Sequence, residues 1–141
     1  MRTRWRTIGL VALSAAALSG CGAAAHYVNK PRRPLPLNLT VYIGSTGAVS
    51  VSPGTVGAGP AVFFVTNQAA RAESLRIAAA GGQVLASTGP INPQAATRVG
   101  LDLDASRTYV LSASAGGAAG PSAQLHVGAA RPGAESTLLA P

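Results

Sequence analysis

Six side chains in this sequence carry chemistry beyond packing: Cys21, His26, His126, Asp102, Asp104 and Arg98. Cys21 is the one cysteine, in the stretch "LSGCG". A lone thiol can pack in a core, ligate a metal, react as a nucleophile or serve as a point of attachment. Asp102 and Asp104 alternate along "TRVGLDLD", which places both carboxylates on one face. Such a pair can do acid–base work, hold a hard cation, or simply form a solvated face leading into a turn. Arg98 shares that face and is expected to pair with Asp102. His126, between Leu125 and Val127, reads as a solvent-facing or edge histidine, since a metal site needs several ligands. His26 reads as solvated, with loose metal binding near the N-terminus as its alternative. A Ser-His-Asp site would need a nucleophile elbow, and none is present. With no convergent set of groups, the chain is expected not to be an enzyme, and no metal or cofactor is expected.

Composition bounds the partners. Hydrophobic residues make up 48% of the 141 residues, much of it alanine, while aromatics are 4% and charged residues 11%. The length suits one domain. The net charge of +7 is concentrated near the N-terminus, in Arg2, Arg4 and Arg6 and in Lys30, Arg32 and Arg33. Between residues 35 and 128, Arg71, Arg76, Arg98 and Arg107 nearly balance Glu73, Asp102 and Asp104. There is no basic stripe with interleaved aromatics, so nucleic acid is not an expected partner.

The N-terminus explains the cysteine. Residues 1–6 are basic and residues 8–20 form an uncharged apolar run. That run is too short for a spanning helix, which needs about 20 residues, and fits a signal peptide. Leu18-Ser19-Gly20-Cys21 then resembles the lipobox of bacterial lipoproteins: Leu, a small residue, Gly or Ala, and Cys. The resemblance implies that residues 1–20 are a signal peptide and that Cys21 takes a diacylglycerol as a thioether. It further implies cleavage before Cys21 and residence on the extracytoplasmic face of the cell membrane. Residues 21–36 read as a lipidated, Pro- and Arg-rich tether, because Pro31, Pro34 and Pro36 oppose helix. Its basic cluster, Lys30, Arg32 and Arg33, either attracts anionic head groups at about 1 kcal/mol per charge or is merely solvated.

From Leu37 the pattern has period two. "LNLTVYI" puts Leu37, Leu39, Val41 and Ile43 on one face. "VSVSP", "AVFFVTN", "SLRIAA", "QVLAS", "TRVGLDLD", "RTYVLSASA" and "AQLHV" follow at short intervals, with Gly/Pro turns between them. "PGTVGAGP" reads as turns. About eight such strands predict an all-β, antiparallel sandwich over residues 37–128, with a disordered tail over 129–141.

The run "VSVSPGTVGAGPAVFFVTNQAARAESLRIA" and the later "LDLDASRTYVLSA" resemble cupredoxin-like domains of exported bacterial proteins. That resemblance implies a Greek-key β-sandwich, with an immunoglobulin-like sandwich as the alternative. Its copper members hold the ion with two His, a Cys thiolate and usually a Met. Here Glu73-Ser74 stands where the first His belongs, and Leu111 to Ser114 cover the Cys position. The domain is therefore expected to be metal-free. Its expected role is a binding or interaction module, with an unknown protein or small molecule as partner. The alternative is a carrier of a small molecule or cation beside a membrane transporter.

Overall fold

The computed structural model describes residues 32–133. The lipobox residues Leu18, Ser19, Gly20 and Cys21, together with His26 and Lys30, lie outside them.

Alternation governs the strands. In β1 (Leu37–Ile43), Leu39, Val41 and Ile43 are fully buried while Asn38 and Tyr42 face solvent. Leu75 and Ile77 do the same in β4 (Ser74–Ala79), and Tyr109, Leu111 and Ala113 in β7 (Arg107–Ala115). The remaining strands are β2 (Val49–Ser52), β3 (Thr55–Asn67), β5 (Val84–Ser87), β6 (Ala96–Leu103), the two-residue β8 (Ala118–Ala119) and β9 (Ala123–Ala130). Among the described residues there is no helix.

One sheet runs β2-β1-β3-β6, and the other runs β5-β4-β7-β9, with β8 on β7. Strand β3 joins them. Its first half pairs with β9 through Thr55, Val56 and Ala58, and its second half pairs with β1 and β6 from Gly59 onward. Both sheets bury their inner faces in one core, where Tyr109, Phe63 and Leu39 are the largest enclosed side chains. Each such residue contributes roughly 1.5–3 kcal/mol by leaving water.

The expectation of a purely antiparallel sheet is corrected. β1 and β3 are parallel, and so are β3 and β9. The cause is the stretch read as turns. Thr55–Pro60 is extended and crosses between sheets, which makes β3 thirteen residues long. Gly57 and Gly59 permit the crossing. A Cβ on Gly57 would come within 2.6 Å of the Arg131 side chain, and Gly59 has φ +124°, a conformation only glycine adopts without strain. The start of the expected tail is corrected as well, while its residues 134–141 lie outside the described residues. β9 continues through Ala130, and Arg131 is anchored to the body by hydrogen bonds described below.

The β6–β7 turn is fixed by Tyr109, whose buried hydroxyl accepts a hydrogen bond from the Asp104 amide at 2.8 Å. Tyr109→Phe should lose about 1 kcal/mol in a denaturant melt, with the m-value unchanged. A loss above about 3 kcal/mol would mean that the ring has moved.

Candidate functional site

The two ends of the domain differ in chemistry. At one end β1 and β3 finish side by side, with Ile43 opposite Asn67, and loops 44–48, 68–73, 88–95 and 116–122 meet. Asn67 is fully buried and joins two of these segments, 68–73 and 88–95. Its side-chain amide donates to the carbonyls of Arg71 (2.8 Å) and Ile91 (2.7 Å). Its side-chain oxygen accepts from the Ala69 amide at 2.9 Å. The backbone of the next residue, Gln68, donates to Ile43. Glu73, 3% exposed, exchanges backbone hydrogen bonds with Ile91, and its carboxylate lies 3.4 Å from Arg71 Nε. On the other side, Val49 donates to Pro121, and Gly47 and Gly120 touch so closely that a Cβ on Gly120 would collide with the Gly47 carbonyl. No buried side-chain polar atom among the described residues lacks a partner. This end is cross-braced.

The type-1 copper centre that the cupredoxin resemblance raises does not fit the residues present. Thiolate and imidazole set copper affinity and potential in such sites. The buried donor at the first-ligand position is the Glu73 carboxylate, already facing Arg71. Ser112 and Ser114 lie in β7 with partly exposed side chains, and no thiol occurs among the described residues. His126 is exposed on the outer face of β9, where its Nδ1 lies 3.2 Å from Thr108 Oγ1. Among the described residues no three His, Cys, Asp or Glu side chains gather.

The opposite end, where the tether enters β1, carries a groove of about 370 Å³ bordered by Arg33, Pro34, Gly59, Asp102, Asp104 and Arg131. Arg131 organises it. Its guanidinium donates to the carbonyls of Ala58 (3.1 Å), Leu35 (2.7 Å) and Pro60 (2.6 Å). One side chain thus holds the tether, the sheet-crossing strand and the end of β9 together. The sequence offered no sign of this role, because its partners are backbone carbonyls 71 to 96 residues away.

The charged residues singled out above do not converge. Asp102 Oδ2 lies 3.4 Å from Arg33 Nη1, and Asp104 Oδ2 lies 2.9 Å from Arg107 Nη1. The expected Arg98–Asp102 pair does not form. Residues four apart on a strand are separated by roughly 13 Å at ~3.3 Å per residue. Arg98 instead stands opposite Phe64 on β3. Of the basic cluster, Arg32 and Arg33 are both exposed, and Arg33 is the one drawn toward Asp102. Both partners of that pair are largely in water (84% and 64% exposed), so it contributes little.

No protein-family model matches the chain. No curated protein matches it either. Among solved structures it is similar to a novel purple cupredoxin from Nitrosopumilus maritimus, with TM-score 0.39 and 14% identity, over 64% of this chain and 98% of that one. A similarity that distant carries no argument about activity; a cupredoxin is a structural neighbour of this all-β, mixed-sheet chain.

Proposed function

We propose that the chain is a membrane-anchored extracytoplasmic lipoprotein whose metal-free, cupredoxin-like Greek-key sandwich acts as a binding or interaction module. The lipobox and tether support the anchor. The observation that carries the module reading is the braced loop end. Asn67, Ile91 and the Gly47–Gly120 contact fill the place where a sandwich of this kind would open to hold an ion or small ligand. The domain then offers its outer strand faces and edges rather than an interior. A second reading, a small-molecule or cation carrier, is favoured by one observation, the charged groove beside Arg131.

Thermal unfolding of the full chain in detergent, against divalent cations and a panel of amino acids, sugars and phosphates, separates the two. A ligand at a hundred times its Kd stabilises by about 2.7 kcal/mol, or about 10 °C or more for a domain of this size. The module reading expects no shift of that kind, together with a discrete cross-linked protein adduct in intact cells. A cation or small molecule that raises Tm by that amount would establish the carrier.

A further inference from the structure

Strand β6 ends its sheet. Among the described residues it pairs with β3 alone, along Ala96–Leu103, and no other backbone hydrogen bond reaches its ladder. In an antiparallel pair, alternate residues turn their N–H and C=O groups toward the partner and the rest turn theirs away. Half of the β6 backbone groups therefore face outward, unpaired. Natural edges are commonly blunted by proline, a bulge or charged side chains, lysine above all. β6 has no proline, no bulge in its register with β3, and two charges of opposite sign, Arg98 and Asp102, on its outer face.

Those charges are arranged symmetrically about Gly100. If β6 meets a second β6 antiparallel with Gly100 opposite Gly100, Arg98 falls opposite Asp102 twice. On the other face Val99 falls opposite Leu101 twice. Val99 and Leu101 are half-buried and already pack on the core from this edge, so a neighbouring strand would complete their burial. Gly100 puts no side chain at the axis, and a Cβ there would meet only the Ala61 carbonyl at 3.9 Å. The guanidinium of Arg98 has no ion pair among the described residues, and the Asp102 contact with Arg33 is long and solvent-exposed. Shifting the axis to Val99 leaves both charges facing neutral residues. Shifting it to Leu101 sets Arg98 against Asp104, which lies beyond the strand and already holds Arg107 at 2.9 Å.

We propose that β6 is a self-recognition edge, which joins two copies of this chain into one continuous sheet about a two-fold axis at Gly100. The occupant is a second copy because the strand complements itself in charge and in apolar residues in a single register. The inference is independent of the anchor and of the module reading.

The test uses the full chain carrying Gly100→Cys. Directly opposed residues in such a pair have Cα atoms about 4.5–5.5 Å apart, within the ~4.4–6.8 Å window of a disulfide. Mild oxidation should give a disulfide-linked dimer well above the background of the parent chain, which retains Cys21. Ala96→Cys lies on the same face four residues away, and its copies would be roughly 26 Å apart at ~3.3 Å per residue; it should give background only. In the Gly100→Cys chain, Arg98→Glu should lower the dimer yield roughly tenfold at limiting concentration, by setting like charges opposite each other twice. Adding Asp102→Arg should restore it. Circular dichroism checks that each variant keeps its β signal. Background-level product from a folded Gly100→Cys chain, equal product at positions 96 and 100, or no effect of the charge reversal would each overturn the proposal.

Discussion

Cys21→Ser should abolish acylation, and either release the protein from the membrane fraction or leave an uncleaved precursor of higher mass. Two acyl chains contribute about 0.8 kcal/mol per buried CH₂, on the order of 10 kcal/mol or more for an anchor. The basic cluster that would remain, Lys30, Arg32 and Arg33, contributes about 1 kcal/mol per charge close to an anionic surface. Arg33 also lies beside Asp102, which reduces its share. The acyl term dominates by a wide margin, so the cluster alone cannot hold the protein once the thiol is gone. Raising salt should release little of the parent, because electrostatic attraction is the smaller term. A Cys21→Ser variant that fractionates and migrates like the parent would remove the lipoprotein reading.

The second large effect is expected at Asn67. Asn67→Ala deletes three hydrogen bonds in one step and strands the Ala69 amide, whose residue is 2% exposed, while the Ile91 carbonyl keeps only the Glu73 amide. Each buried group left without a partner costs about 1–3 kcal/mol. A loss of about 3 kcal/mol is expected, which lowers Tm by more than about 10 °C. Asn67→Asp separates the donors from the acceptor. It keeps an oxygen for the Ala69 amide but turns a carboxylate toward the Arg71 and Ile91 carbonyls. That contact disfavours the charged form, so the folded-state pKa of the new carboxyl rises above its unfolded value near ~3.9. Stability present below the unfolded pKa is then lost as pH rises through the folded one. Asn67→Asp should therefore be less damaging near pH 4 than near pH 7 when each is compared with the parent at the same pH. Equal losses at both would mean that the loops reorganise around position 67.

These residues also show where the sequence was readable. Period-two alternation located β1, β4 and β7 with their boundaries, because each has one face in the core and one in water. Alternation is lost at Thr55–Pro60, where four small or turn-forming residues hide a strand. Its partner β9 lies about 70 residues away, and its glycines answer to the approach of Arg131 rather than to a turn. Arg131 itself was illegible, since its contacts are with carbonyls. Glu73 was noticed as a replacement for a ligand, but its burial could not be foreseen, because glutamates are almost never enclosed unless paired. Asn67 left a faint signal: an asparagine closing a strand before a polar loop often bonds the amide two residues on, as it does here with Ala69. The Arg98–Asp102 expectation treated a shared face as proximity. Along one strand that reasoning fails, and across two strands the same spacing becomes complementary.

The proposed role depends first on where the chain is attached. Intact-mass analysis of the protein extracted from the membranes of its own cells tests this most directly. The expected species is a polypeptide that begins at Cys21 and carries the added mass of a thioether-linked diacylglycerol. A chain that retains residues 1–20, or one that starts elsewhere with a free Cys21 thiol, would contradict it.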